Sequence, residues 1–136
     1  MSFVLDASAS VGWCIDNQAT EYSEAVGRAL EVDSAFVPSL WQLEMANALR
    51  NACKRQVLDI AGAQGFLAKL DTLPIRIDSA QPKVSEILAL ALRHDLTSYD
   101  AAYLDLALRL QLPIATQDAA LREAALASGV GLWKPG

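Results

Sequence analysis

Four acidic residues, spread over most of the chain, are the side chains in this sequence that could do chemistry together. They are Asp6, Glu44, Asp100 and Asp118. Carboxylates that converge without matching Arg or Lys residues repel one another, and cations that bind between them relieve the repulsion. Oxygen ligands suit Mg²⁺ or Mn²⁺, whereas Zn²⁺ prefers His or Cys. The acids therefore predict a divalent-metal site, provided that the fold brings them together.

The stretch around Asp100 has the clearest local pattern. Thr97 or Ser98 can cap a helix there, and the apolar residues that follow have helical spacing. Asp100 falls in the first turn, where the helix dipole and free backbone N–H groups favour an ionised carboxylate. An Asp that only complements the dipole would sit at the same position, so the role of Asp100 depends on the other acids.

Each of the other acids also has a simpler interpretation. Asp6 could merely end a strand, Glu44 could be a solvated helix residue, and Asp118 could be only an N-cap. A buried, unpaired Asp is costly, which favours a functional role for Asp6. Ser8 and Thr116 could hydrogen-bond the ligand carboxylates or a phosphate, although turn and capping roles are equally open.

No other pairing of side chains supplies a nucleophile. His94, the only histidine, lies in the last turn of a predicted helix and is expected to complement its dipole. Cys14 and Cys53 are far apart within helical patterns and are expected to be buried free thiols. Asp105 lies about 140° around the helix from Asp100, so we expect it on the surface or behind the site. Metal-activated water is then the predicted attacking group, and phosphodiester hydrolysis is the predicted reaction.

Length and composition are those of one domain, 1–136, with a substantial core. Hydrophobic residues make up 53% of the chain, yet no apolar run reaches the ~18 residues of a membrane span. The first apolar run lacks a preceding basic region, so we expect no signal peptide and a cytoplasmic protein. The net charge of −5 argues against a broad phosphate-binding surface. Cations bound to four site carboxylates would offset most of that charge, so RNA is not excluded.

Short apolar segments alternate with amphipathic ones, which predicts an α/β fold. We expect a three-layer α/β/α sandwich around a central, mostly parallel sheet of about five strands. The predicted strands are 2–5, 35–37, 74–77, 112–116 and 130–133. The predicted helices are 21–32, 40–55, 59–70, 82–94, one that begins at 97 or 98, and 119–127. In the helix 40–55 the expected buried stripe is Leu40, Leu43, Ala46 and Leu49. Right-handed crossovers bring the carboxyl ends of the strands to one edge, which would place Asp6 and Asp118 together.

Four sequence blocks resemble the acidic blocks of PIN domains, and especially those of small, stand-alone VapC-type toxins. The blocks are residues 6–8, 38–49, 98–104 and 112–118, in that order. The resemblance implies that Asp6, Glu44, Asp100 and Asp118 form the catalytic site. Asp6 and Asp100, together with Asp118, would be its metal ligands.

The same resemblance implies an activity and partners. The activity is that of a Mg²⁺- or Mn²⁺-dependent endoribonuclease acting on tRNA, rRNA or mRNA, as the toxin of a type II toxin–antitoxin pair. The implied partners are a second copy of the chain and an antitoxin whose tail blocks the acidic pocket. Family members can lose activity while keeping the fold, so a catalytically inactive binding module is one alternative.

A phosphoacceptor signalling domain of the receiver type is the other alternative. Asp78, at the end of the third strand, would be its acceptor, and Thr116 and Lys134 would be its switch residues. This interpretation leaves Glu44 and Asp100 without a role.

The large aromatic residues leave a separate question open. Trp13, Tyr22 and Trp41 could form an exposed surface for dimerisation or antitoxin binding, or they could pack in the core.

Overall fold

Four short apolar segments form a parallel sheet in the computed structural model, which describes residues 1–136. The strands are β1 (Phe3–Leu5), β2 (Ala35–Val37), β3 (Ile75–Ile77) and β4 (Ile114–Ala115). Their order in the sheet is β3-β2-β1-β4, with every pair parallel. All three residues of β1 are fully buried, as expected for a central strand covered on both faces.

Seven α-helices accompany the sheet. They are α1 (Ala7–Ser10), α2 (Glu21–Ala29), α3 (Leu40–Lys54), α4 (Ile60–Leu70), α5 (Val84–His94), α6 (Ser98–Leu110) and α7 (Ala119–Ser128). The chain passes from β1 to β2 to β3 in one direction and then returns across the sheet to β4. Right-handed crossovers therefore place the helices between β1 and β3 on one face of the sheet and those between β3 and β4 on the other. This arrangement confirms the predicted α/β/α sandwich. None of the helices has the length and apolar character needed to span a bilayer.

The predicted fifth strand is wrong. Residues 130–133 contribute a single parallel bridge, between Ile114 and Leu132, so the sheet has four strands. Gly129 and Gly131 have φ angles of 88° and 80°, which interrupt the extended backbone that a strand requires. The segment therefore only borders β4.

The buried stripe predicted for α3 is wrong, because a different face of the helix packs against the core. Leu43 is 72% exposed, although the prediction placed it in the core. The buried residues of α3 are Trp41, Met45, Leu49 and Ala52. Two apolar series at helical spacing overlap on this helix and share Leu49. The series that contains Trp and Met is buried because it removes more apolar area from water.

The three aromatic side chains considered for a docking surface, Trp13, Tyr22 and Trp41, pack in the hydrophobic core or against it. Trp41 is 5% exposed, and its indole N–H donates to Ser10 Oγ over 3.1 Å. Trp13 and Tyr22 are half-buried, and both donate hydrogen bonds to main-chain carbonyl oxygens. Their polar atoms are thus satisfied inside the chain, which supports the core-packing interpretation.

The two cysteines are free, as predicted, but they are half-buried and not fully buried. Burial raises the pKa of the Cys14 thiol to about 11, and a backbone hydrogen bond partly opposes that rise. A thiol with this pKa stays protonated at neutral pH and is a poor nucleophile.

Asp105 is buried, which corrects the expectation that it could lie on the surface. Arg109, one helical turn later, donates from Nε to Asp105 Oδ2 over 2.9 Å. The same guanidinium donates from Nη2 to Asp78 Oδ2, also over 2.9 Å. Asp78 follows β3, so one arginine joins α6 to the end of an edge strand. Because Asp105 is buried, loss of this partner would leave its charge uncompensated.

We expect Arg109→Ala to lower the free energy of unfolding by about 2–3 kcal/mol, because a buried carboxylate would lose its charged donor. Urea denaturation followed by circular dichroism measures the change. Arg93→Ala is the control, since Arg93 is exposed in the last turn of α5 and should change stability by less than about 0.5 kcal/mol. Equal losses in the two variants would contradict a structural role for the Arg109 bridge.

Candidate functional site

Asp6 stands at the carboxyl end of the central strand. The register of β1 and β4 pairs Leu5 with Ala115, so the residues that follow, Asp6 and Thr116, are brought side by side. Thr116 Oγ1 donates to Asp6 Oδ2 over 2.7 Å, and Ser8 Oγ donates to the same oxygen over 2.6 Å. Ser8 and Thr116, which sequence alone left between several roles, therefore hold the Asp6 carboxylate.

The environment of Asp6 opposes its charge in spite of these two bonds. The residue is only 4% exposed, and this burial is the main reason that its pKa is raised. The hydroxyl groups of Ser8 and Thr116 lower the pKa, whereas the nearby carboxylate of Asp118 raises it. Two hydrogen bonds thus offset only part of the cost of burying this charge.

The turn after β4 fixes the two hydroxyl groups. The backbone N–H of Gln117 donates to Ser8 Oγ over 2.8 Å, and the backbone N–H of Asp118 donates to Thr116 Oγ1 over 3.0 Å. Each hydroxyl accepts from the backbone and donates to Asp6. The end of β1 and the start of α7 therefore form one hydrogen-bonded unit.

Asp118 serves the fold and the site together. Its Oδ2 accepts from the backbone N–H of Leu121 over 2.9 Å, so it is the N-cap of α7. Its charge also raises the pKa of the Asp100 carboxyl, so the two side chains lie near each other. The capping interpretation is correct, and it leaves the carboxylate at the edge of the acidic cluster.

Asp100 lies where the electrostatic repulsion is greatest. Thr97 caps α6 by accepting from the Asp100 backbone N–H over 3.2 Å, which places the carboxylate in the first turn as predicted. The pKa of Asp100 is raised to about 6, first by burial and then by the charges of Asp118, Asp6 and Glu44. Every charged group that shifts this pKa is negative. The four predicted site acids therefore lie within electrostatic reach of one another.

Glu44 enters the cluster through a residue that sequence reasoning missed. The hydroxyl of Tyr103 donates to Glu44 Oε1 over 2.5 Å, and Tyr103 itself is fully buried. Burial raises the pKa of Glu44, the Tyr103 bond lowers it, and Asp6 raises it. A signal did exist in the sequence, because a tyrosine on the buried face of a helix needs a partner for its hydroxyl. Its position three residues after Asp100 directs it toward the same region.

The donor set fits a hydrated Mg²⁺ or Mn²⁺. No group of three or more His, Cys, Asp or Glu side chains is placed to hold a metal ion. Mg²⁺ does not require such a group, because it keeps several waters and binds through one or two carboxylates. Coordination of one ion by Asp6, Asp100 and Asp118 together would require these side chains to move. Oxygen-only donors and the raised pKa of Asp100 are the features that match a hard cation.

Three residues considered for other chemistries, Asp78, Lys134 and His94, are not part of this cluster. Asp78 is ion-paired with Arg109, and Lys134 is exposed beyond the bridge to β4. His94 is half-buried in the last turn of α5, where it was predicted to complement the helix dipole. The groups that shift the pKa of Asp100 include none of these three residues.

Without divalent metal, we expect Asp100→Asn to stabilise the chain on the order of 1 kcal/mol at pH 7. The native pKa of about 6 lies above the ordinary Asp value of 3.8, so the native state binds the extra proton between about pH 4 and 6. Wild-type stability then falls as pH rises through that window, whereas the variant has no carboxylate to titrate. The stability difference should grow from near zero below pH 4 to its full value above pH 6.

Urea denaturation in EDTA at several pH values measures this difference. Asp16→Asn is the matched control, because Asp16 is exposed in the turn before α2. A difference between wild type and Asp100→Asn that stays constant from pH 4 to 7 would contradict the raised pKa.

Comparison with known proteins identifies the family. The PIN domain family profile matches residues 3–126. Ribonuclease VapC1 of Mycobacterium tuberculosis is 35% identical over 124 residues, which is 89% of each chain. Ribonuclease VapC3 of Pyrobaculum aerophilum is 32% identical over 126 residues, which is 90% of this chain and 94% of the relative.

A solved structure supports the same fold. The crystal structure of PAE2754 from Pyrobaculum aerophilum superposes with a TM-score of 0.70 and covers 91% of this chain and 84% of its own. The two sequences are 24% identical, so this likeness concerns the fold alone. The family profile spans the strands and helices that carry the acidic residues. The chain therefore belongs to the PIN-domain family, among its VapC-type members.

Proposed function

We propose that this protein is a Mg²⁺- or Mn²⁺-dependent endoribonuclease, the toxin of a type II toxin–antitoxin pair. The observation that carries the proposal is the convergence of negative charge on Asp100, in a chain whose relatives are named ribonucleases. Carboxylates held this close without a basic partner favour a bound cation. Its substrates would be cellular tRNA, rRNA or mRNA, which places the activity in the cytoplasm.

The residues divide the work by their positions. Asp6 and Asp100 are the proposed principal ligands of the ion, with Asp118 at the edge of the same cluster. A bound Mg²⁺ or Mn²⁺ would lower the pKa of the attacking water and stabilise the leaving oxygen of the phosphodiester. Ser8 and Thr116 hold Asp6 in position through its Oδ2.

Glu44 is the proposed fourth member of the site, and Tyr103 fixes its position. The Tyr103 hydroxyl, buried beneath Glu44, limits where the carboxylate can lie. Burial keeps the pKa of Glu44 above its ordinary value, so it can accept or release a proton more readily than an exposed Glu. No histidine is available to transfer a proton to or from the reacting water, because His94 lies outside the cluster.

We expect purified wild-type protein to cleave total RNA in Mg²⁺ or Mn²⁺ and to lose the activity in EDTA. Asp6→Asn and Asp100→Asn should each reduce cleavage by at least about 100-fold, because each removes one charge from the ion site. Glu123→Gln is the control, since Glu123 is an exposed acid on α7. Titration calorimetry with Mn²⁺ should show weaker binding in both site variants.

Two results would exclude the proposal. Wild-type cleavage by both site variants would mean that these carboxylates are not the catalytic ones. A wild-type protein that binds Mn²⁺ but cleaves no RNA would favour the catalytically inactive binding module on the same fold.

An antitoxin partner is the next part of the proposal. A pocket whose charges are all negative attracts the Arg or Lys side chain of a partner protein, which would compete with the metal ion for the carboxylates. A basic tail placed there would also exclude RNA. Inhibition by occupation of the active site thus follows from the same charge that favours metal binding.

A homodimer is the remaining part of the proposal, and the exposed face of α5 supports it. Val84, Leu88 and Leu92 lie on one side of this helix and are 85%, 54% and 76% exposed. They border a shallow depression of about 630 Å³ that reaches Ser98, at the start of the helix that carries Asp100. Contiguous exposed apolar residues of this kind mark interaction surfaces. A second copy docked there would lie beside the acidic site.

We expect size-exclusion chromatography with light scattering to report twice the 14.6 kDa mass of one chain. Leu92→Glu should shift the protein to a monomer, because it would bury an unpaired charge in the interface. Leu126→Glu is the matched control, since Leu126 is 61% exposed on α7 and should leave the dimer intact. A wild-type monomer at all concentrations up to 100 µM, or a Leu92→Glu dimer, would contradict this interface.

A further inference from the structure

A polar groove runs from the acidic site along one side of α3. It has a volume of about 390 Å³, within the range of roughly 300–1,000 Å³ that small-molecule sites occupy. Glu44 lines one part of it, and so does Ala7, the residue that follows Asp6. The groove is therefore continuous with the proposed catalytic cluster. The other residues that line the groove take no part in the acidic cluster.

One face of α3 forms a wall of this groove. Glu44, Asn47, Asn51 and Arg55 are spaced by three, four and four residues, so they follow one stripe along the helix. The stripe rises about 16 Å from Glu44 to Arg55, at 1.5 Å per residue. It begins with a carboxylate, continues with two amides and ends with a guanidinium. This order changes from negative to positive away from the acidic site.

The facing rim comes from the short turns between α1 and α2. Asn17 and Gln18 are exposed there and line the groove. The turn that carries them is closed tightly, because a Cβ atom on Gly12 would lie 2.7 Å from the Gln18 carbonyl oxygen. The Gln18 backbone N–H also donates to Ile15 O over 2.9 Å. The two rim amides are thus presented by a compact backbone.

The floor of the groove is aliphatic. Buried Ala7, Ile15 and Ala52 line it beneath the amides. A flat apolar ring can rest on such a floor while amide groups meet its polar edge, since each amide both donates and accepts hydrogen bonds. Asn and Gln are the side chains that pair with adenine edges in nucleic-acid complexes, and Arg pairs with guanine or stacks on a base. A groove built for phosphates alone would carry cations along its length, and only Arg55 is cationic here.

The geometry points to a nucleobase-binding subsite in this groove, which accepts an unpaired base of single-stranded RNA next to the cleaved phosphodiester. The inference rests on the proposed ribonuclease function, because that function places the phosphodiester at Asp6 and Asp100. Asn47 and Asn51 would contact the polar edge of the base, and Arg55 would meet the following phosphate. The subsite gives the enzyme a base preference at one position beside the cut.

Sequencing of the cleavage products from a randomised single-stranded RNA pool, in Mn²⁺, tests the subsite. Wild type should show a preference at one nucleotide adjacent to the cut. In the double variant Asn47→Ala/Asn51→Ala, that base preference should fall about tenfold, and half-maximal cleavage should require more RNA. Gln42→Ala is the matched control, because it removes an exposed amide from a different face of α3 and should keep the wild-type profile.

A second measurement does not depend on catalysis. Adenosine, guanosine, cytidine and uridine, titrated into ¹⁵N-labelled wild-type protein without metal, should shift the side-chain amide signals of Asn47 and Asn51 for the preferred base. The signals of Gln42 should not move. Shifts without any RNA cleavage would reject the ribonuclease proposal and keep the base site.

Three results would overturn the inference. One is RNA cleavage by the double variant with the wild-type base profile. Another is the absence of amide shifts with all four nucleosides. The third is a variant that changes inhibition by an antitoxin while its base profile stays the same, since the groove would then belong to a protein partner.

Discussion

Repulsion among carboxylates is the constraint on which the rest of this structure depends. Asp100 lies near three other acids, and no Arg or Lys relieves the repulsion. The two hydroxyls that bond Asp6 compensate one carboxylate only, and even there the pKa remains raised. The metal-free fold therefore has to keep this cluster together at a cost, which the buried apolar core must offset. A cation would remove that cost, which is why charge and chemistry lead to the same site.

The fold meets this constraint by placing two of the acids at the ends of paired strands and two on helices. Asp6 and Asp118 belong to the paired ends of β1 and β4, where two hydroxyls and two backbone N–H groups form one network. Glu44 and Asp100 come from α3 and α6, and the Tyr103 hydroxyl joins these two helices at the site. Each acid is thus tied to the others through hydrogen bonds or through electrostatic interactions. Movement of either helix would change the geometry of the whole cluster.

Sequence reasoning succeeded where the signal was local and failed where two local patterns competed. The abrupt end of an apolar run at Asp6 and the cap before Asp100 are one-dimensional features, and both occur as predicted. On α3 the apolar residues in line with Leu43 and those in line with Met45 both have helical spacing. Only packing in the core decides which of the two sets is buried. Asp105 shows a related limit, since helical geometry gave its direction but not its partner, Arg109. The prediction of a fifth strand was wrong because Gly129 and Gly131 adopt positive φ angles, which interrupt the extended backbone.

The rotation of α3 about its own axis is important for the site, because it determines which side chains of the helix face the acidic cluster. If Leu43 faced the core, Glu44 and the stripe that continues it would be turned away from the acidic site by about 100–200°. Burial of Trp41 and Met45 instead orients Glu44 toward Tyr103 and leaves Asn47 and Asn51 along the groove. A packing choice in the core thus determines both the fourth carboxylate and the amides beside it. The proposed catalytic site and the proposed base subsite therefore have the same physical origin, the burial of one apolar face of α3.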